Sequence, residues 1–247
     1  MNLTNFIKNP VGYFKKANQV VTNKMQATFY KGNDVICELC GWKGKRFFKA
    51  RCPNCRSLER TRLIPYACKY FDLMEENLTI LHISPNQSEY DFVKSNFKNY
   101  SVYDRLDINP IKNVNIVDDI TKTKLASDTY DLIMTWHVLE HIKEDEKAIQ
   151  EMYRVLNNKG KLLVSVPMHP AFNKMTHEDD SIPRKDYEKV HGHPDHCRSC
   201  GHDYFKRFEK YGFETNELFV NNINEEIKSR YGLRNDHIVW CFAKKES

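Results

Sequence analysis

An α/β fold with a mostly parallel sheet, helices on both of its faces and a small separate knuckle ahead of it is what this 247-residue chain predicts. Three observations carry that expectation. From Leu78 onward, short apolar runs alternate with amphipathic helical stretches. Acidic residues stand where successive apolar runs end, at Asp107 and Asp119. Between Cys37 and Cys55 lie two CxxC pairs about a dozen residues apart. The composition, 40% hydrophobic and 29% charged, is that of a globular chain with one sizeable core. No apolar stretch approaches the roughly 20 residues that cross a bilayer. The start, MNLTNFIKNP, lacks the apolar core of a signal peptide, so the expected location is cytoplasmic. A net charge of +5 permits an anionic substrate without marking a nucleic-acid binder.

The elements follow in order. Residues 1–34 are polar with loosely helical apolar positions (Phe6, Ile7, Val11, Phe14) and read as an N-terminal helical arm. Residues 35–57 contain CELCGWKGKRFFKARCPNC. Each CxxC makes a tight turn that aims two thiolates at one point, so Cys37, Cys40, Cys52 and Cys55 satisfy tetrahedral Zn2+. The intervening GWKGKRFFKAR reads as a short hairpin covering the site. A closed set of four thiolates is structural, because it leaves no open coordination position, and the metal holds so small a ribbon folded. Over 58–77 the apolar spacing predicts a connecting helix, in which Cys68 is a buried apolar residue and not a nucleophile. The domain over 78–247 then alternates. LTILHIS is a strand, SEYDFVKSNF a helix, and NYSVYDRLDI and VNIVDDI are strands. TYDLIMTWHVL is a strand running into a loop, EDEKAIQEMYRVL a helix and NNKGKLLVSVP a turn and strand. A polar, histidine-rich insertion over 168–200 precedes the helix HDYFKRFEKYGF. Two closing strands follow, FETNELFV and HIVWCFAKK, antiparallel in one reading. Seven strands alternating with helices imply a doubly wound sheet, whose ligands sit at the carboxyl ends of the strands.

The strand-to-helix turn in ILHISPNQ is unusual, since Ser84, Pro85, Asn86 and Gln87 stand where a nucleotide-binding turn carries glycines. At the next strand ends, Asp107, with Asp104 as its alternate, is either a solvated loop acid or one that accepts both ribose hydroxyls. Asp119 with Ile120 is placed to read an adenine edge.

TYDLIMTWHVLEHI, then EMYRVLNNKGKLLVSVP, resemble the class I S-adenosylmethionine-dependent methyltransferases over about Leu78 to Phe242. In those enzymes an apolar strand after an acid, a VLEH loop, a helix ending in RVL and a strand ending in VP occur in this order. CPNCRSLERTRL and DHCRSCGHDYF narrow the resemblance to a bacterial subgroup with an N-terminal zinc ribbon, which tends to a glycine-poor first turn like that of ILHISPNQ. The resemblance implies a Rossmann-like seven-stranded sheet and an enzyme. It implies a cofactor site of His82, Ser84, Asp107, Asp119, Ile120, Thr135 and Trp136, in which the helix after the turn offers its positive end to the cofactor's carboxylate.

HVLEHI brings His137, Glu140 and His141 to one helical face. Either a histidine serves as general base, with His137, His141 and His196 as the catalytic candidates, or the three residues hold Mg2+ or Mn2+ that acidifies an acceptor hydroxyl. A purely pocket-lining role for Glu140 is the third reading. The metal reading resembles ubiquinone-pathway and small-RNA 2′-O-methyltransferases, whose first ligand is Glu where this chain has His137. In HGHPDHCRSCGHDY, His196 and Arg198 are expected in the substrate pocket beneath a lid, with Glu140 on the substrate side. A second zinc site at Cys197 and Cys200 is the less favoured alternative. The expected reaction is O-methylation of a small molecule or glycan. The alternatives are an RNA methyltransferase, for which the basic, aromatic ribbon would contact nucleic acid, and a non-catalytic zinc-binding interaction protein. The oligomeric state is not legible.

Overall fold

The computed structural model describes residues 21–245, so the part of the expected arm over 1–20 lies outside the described residues. The chain divides into two units, one comprising 1–65 with 224–233 and the other 66–223 with 234–247. The division assigns 224–233 to the ribbon's unit, whereas the sequence reading leaves it in the sheet domain.

In the first unit a helix over 21–29 precedes an antiparallel hairpin of β1 (Lys31–Cys37) and β2 (Trp42–Gly44). Each CxxC turns sharply and is followed by a residue with positive φ, Gly41 at 69° and Arg56 at 65°. Arg62 is 3% exposed and organises the surroundings. Its guanidinium stacks 3.8 Å from the Phe47 ring centroid and donates to the carbonyls of Ala50, Ser57, Tyr231 and Gly232. The last two end the helix Glu225–Tyr231, capped by Asn224 at its start and Gly232 at its close. Gly232 has φ 61°, and a Cβ there would stand 2.4 Å from Phe47, so both backbone and packing require glycine.

The second unit is a seven-stranded sheet. Its strands are β3 (Thr79–Ile83), β4 (Val102–Asp107), β5 (Ile116–Val117), β6 (Tyr130–Trp136), β7 (Leu156–Ser165), β8 (Phe213–Phe219) and β9 (Ile238–Lys244). They lie in the order β5-β4-β3-β6-β7-β9-β8. All pairings from β5 to β7 are parallel, and β9 is antiparallel to both β7 and β8. The core joins β3, β6, β7 and β9 to Ala148, Ile149, Met152 and Val155 of the helix Asp145–Val155 and to a stack of Phe208 on Phe242, with ring centroids 4.1 Å apart. Strand order reverses between β3 and β6. Neighbouring loops diverge there and leave a crevice at the carboxyl ends. Among the described residues no helix is long and apolar enough to cross a membrane.

Candidate functional site

A cavity of about 470 Å³ opens at that reversal. It is lined by Ile83 and Ser84 after β3, Asp107 after β4, Asp119 and Ile120 beyond β5, and His137 and His141 after β6. Asp107 is 8% exposed and accepts the Asn109 N–H at 2.7 Å. Asp104 points elsewhere, accepting from Asn115 at 2.9 Å and from the Tyr130 hydroxyl at 2.8 Å. Of the two candidate acids on β4, Asp107 is therefore the one at the cavity. Asp119 accepts both the N–H and the hydroxyl of Thr121, at 3.0 and 2.8 Å. The Thr121 N–H, helped by the Thr121 hydroxyl, holds its carboxyl below the usual range.

The glycine-free turn is built by other means. Ser84 itself takes the left-handed conformation, φ 51°, and donates its N–H to Leu106 at 2.7 Å. Asn86 then caps the helix Gln87–Asn96 in a reciprocal capping box with Glu89. Asn86 Oδ1 takes the N–H groups of Ser88 and Glu89, so these two first-turn donors are held by the cap. His82 supports the turn from behind. It is fully buried, with Nδ1 3.1 Å from the Tyr103 hydroxyl and Nε2 3.6 Å from Glu89, and it does not line the cavity. Thr135 and Trp136 are likewise buried in β6 behind the wall, at 1% and 4% exposure, and the Thr135 hydroxyl has no hydrogen-bond partner among the described residues.

His137, Glu140 and His141 do come together. Glu140 is 1% exposed, and its Oε1 lies 3.6 Å from His137 Nδ1, 3.7 Å from His141 Nε2 and 3.8 Å from His196 Nε2. Burial drives His196 down to about 4 against the opposing pull of Glu140, so its imidazole is neutral at pH 7. The 168–200 insertion reaches this loop through the Cys197 N–H, which donates to the Glu140 carbonyl at 2.9 Å.

Arg198, expected at the substrate, is instead 1% exposed and turned inward. It donates to the carbonyls of Leu139 (2.6 Å), Ile142 (2.7 Å) and Lys143 (3.0 Å). It also pairs with Asp145 at 3.2 Å and Glu178 at 2.9 Å. Asp145 further accepts from the Tyr204 hydroxyl at 2.6 Å and Arg207 at 3.0 Å. The sequence reading missed this clamp.

In the ribbon, Cys37, Cys40, Cys52 and Cys55 converge within 4.8 Å of one another. The Sγ separations of Cys37–Cys55 and Cys40–Cys52 are both 3.7 Å. Four thiolates at about 2.3 Å from a tetrahedral zinc stand about 3.7–3.8 Å apart, so the cluster fits the ion. Among the described residues Cys197 and Cys200 join no such cluster. Cys200 is fully buried, which pushes its thiol up, and the Cys197 thiol faces the Glu140 carbonyl at 3.2 Å.

The family described as "Methyltransferase domain" matches residues 36–218. Among solved structures, an S-adenosylmethionine-dependent methyltransferase from Archaeoglobus fulgidus is 16% identical and covers 75% of this chain and 94% of its own, with a TM-score of 0.51. A second, from Mesorhizobium loti, is 12% identical over 72% and 95% of the two chains, at 0.53. A third is the 1,6-didemethyltoxoflavin-N1-methyltransferase of Burkholderia thailandensis, 10% identical over 76% and 79%, at 0.50. At these identities the likeness is one of fold. Among curated proteins there is no match.

Proposed function

This chain belongs to the methyltransferase-domain family and is an S-adenosylmethionine-dependent methyltransferase, and we propose that it methylates a hydroxyl of a small molecule or glycan. The observation that carries the reading is one cavity with acids at one side, Asp107 and Asp119, and histidines at the other, His137 and His141. The residues present fit the cofactor. Asp107 accepts the ribose hydroxyls, Asp119 and Ile120 flank the adenine, and Ser84 stands at the methionine end. When bound, S-adenosylmethionine supplies a methyl group on a sulfonium for in-line displacement.

The chain's own residues orient the acceptor and take its proton. His137 and His141 border the cavity and serve as the proton acceptors. His196, which burial keeps neutral, orients the acceptor. The second role for this loop is to hold Mg2+ or Mn2+ with His137, Glu140 and His141. In the ribbon, Zn2+ is the ion of the four thiolates, and its role is structural. The site of action is the cytoplasm.

One observation favours RNA as a competing acceptor. In the ribbon's unit Tyr30 stacks on Phe48 at 5.5 Å, with Arg46 over Tyr30 and Lys49 over Phe48. Such a platform binds single-stranded bases, and its affinity falls steeply with salt.

The test is calorimetric titration with S-adenosylmethionine and S-adenosylhomocysteine, repeated with Asp107→Ala. We expect micromolar binding in the wild type and a loss of ten- to a hundred-fold in the variant, as removal of hydrogen bonds to a charged group of about 1.5–3 kcal/mol produces. Binding indifferent to Asp107→Ala would place the cofactor elsewhere. Acceptor screening with hydroxylated small molecules, glycans and short RNAs then separates the two readings of the acceptor.

A further inference from the structure

We propose a second metal site, formed by His141, His193 and His196 with Glu140, that takes a divalent transition ion of the zinc–cobalt–nickel class at the rim of the cavity. One nitrogen of each histidine lies within 4.8 Å of one on each of the others. The rings of His141 and His196 are 4.8 Å apart and those of His193 and His196 4.7 Å. Nε2 of His141 and Nε2 of His196 both approach Glu140 Oε1, at 3.7 and 3.8 Å. Ligands of a tetrahedral ion at about 2.0–2.1 Å stand about 3.3–3.5 Å apart, so the two contacts to Glu140 need to close by a few tenths of an ångström, and the histidine nitrogens, within 4.8 Å of one another, by up to about 1.5 Å, which side-chain rotation of the exposed His141 and His193 supplies. The tautomer of His141 is already set. Its Nδ1 faces the Asp195 carbonyl at 3.1 Å, which only accepts, so Nδ1 carries the hydrogen and Nε2 presents its lone pair to the cluster. A backbone carbonyl behind a histidine is the usual outer support of a metal ligand. His193 is exposed, and its Nδ1 receives the Asp195 N–H at 3.2 Å, a weak contact that it exchanges for the ion.

Three imidazoles and one carboxylate select zinc-like ions over Mg2+, which demands oxygen ligands in octahedral array. The ligands come from two places in the chain. His141 and Glu140 stand on the loop after β6, and His193 and His196 on the insertion. The ion therefore fastens the insertion to the cavity wall, since His141 also lines the cavity, and with both nitrogens of His141 engaged the proton acceptor is His137. As a binding site this rests on geometry alone, whereas its service to an acceptor hydroxyl rests on the function proposed above.

The experiment titrates Co2+ into full-length protein brought to one Zn2+ per chain, which the four thiolates of the ribbon retain while a mild chelator, removed before the titration, clears the histidines. It follows visible absorption and binding heat for the wild type, His193→Ala and His141→Ala. Nitrogen- and oxygen-ligated cobalt shows ligand-field bands without the near-ultraviolet thiolate charge transfer that displacement of ribbon zinc would produce. We expect one such ion per chain, weakened at least ten-fold by each substitution. His193 is exposed, so His193→Ala leaves the fold intact and a loss there is a loss of ligand. Failure of the folded wild type to bind cobalt, thiolate bands alone, or binding unchanged in both variants would each overturn the site. S-adenosylhomocysteine titrated in parallel separates the two proposals. Cofactor binding without cobalt binding removes only the metal site, and cobalt binding without cofactor binding removes the assigned function and leaves the site standing.

Discussion

The guanidinium of Arg198 donates to three carbonyls in 139–143 while paired with two acids, and this fixes the backbone that carries Glu140 and His141. Its fork-shaped donor set suits that task in a way that a lysine ammonium cannot copy. Arg198→Met should destabilise the protein by about 3–5 kcal/mol, because it takes one of two guanidinium partners from Asp145, 1% exposed, and leaves three carbonyls without their donor. Burial already holds the Asp145 carboxyl above its ordinary value, with Arg198 opposing that rise. Without Arg198 the rise grows. A carboxyl raised on folding binds more protons in the native state, so its stability is present at low pH and lost as pH rises through the folded value. Urea denaturation as a function of pH should thus show the variant's deficit shrinking toward acid, and a deficit equal at pH 5 and pH 8 would speak against the weakened pairing of Asp145 as its source. The sequence signals that DHCRSC matters but not which way Arg198 turns, since direction is decided by carbonyls more than fifty positions away. The place of Asp107 at the cavity was legible because strand parity and position at the end of β4 set its direction locally.

At the scale of elements, local spacing is what the sequence states best. The two CxxC turns are each closed within five residues, and their Sγ atoms meet at tetrahedral distances. Cys52→Ser should abolish stoichiometric zinc and melt the hairpin of β1 and β2, since apparent zinc binding of about 10–16 kcal/mol in such peptides is also their folding energy. Zinc quantification, together with the emission of Trp42, whose indole N–H donates to the Ala27 carbonyl at 3.0 Å, checks both. Native Trp42 emission in a zinc-free variant would mean that the ribbon folds without metal. The turn after β3 was legible only as an anomaly. Its solution combines Ser84 in the left-handed region, the Asn86–Glu89 box and a histidine strut from His82, and these act across elements that a one-dimensional pattern does not bring together. The helix Glu225–Tyr231 was missed although Asn224, two glutamates in its first turn and Gly232 announce it.

For the molecule as a whole, the order of strands and helices was readable because α/β alternation leaves few topologies. The assignment of 224–233 to the ribbon's unit was not, because it depends on contacts of Arg62 with Tyr231 and Gly232, 169 and 170 positions along the chain. The same topology predicts how the chain responds to its cofactor. The cavity draws residues from the ends of β3, β4 and β6 and from beyond β5, so a ligand there joins both sides of the strand reversal. A ligand that binds only the folded sheet stabilises it by about 2.7 kcal/mol at a hundred times its dissociation constant. In a domain of this size each kcal/mol raises the midpoint by about 2–4 °C. S-adenosylhomocysteine at that excess should therefore shift the calorimetric transition of the sheet unit up by about 5–11 °C. At the same ligand concentration Asp107→Ala should lose most of the shift. A shift retained in Asp107→Ala would mean that the stabilising contacts lie away from the end of β4, and that the acid at the cavity wall serves the loop through Asn109 and not the ribose.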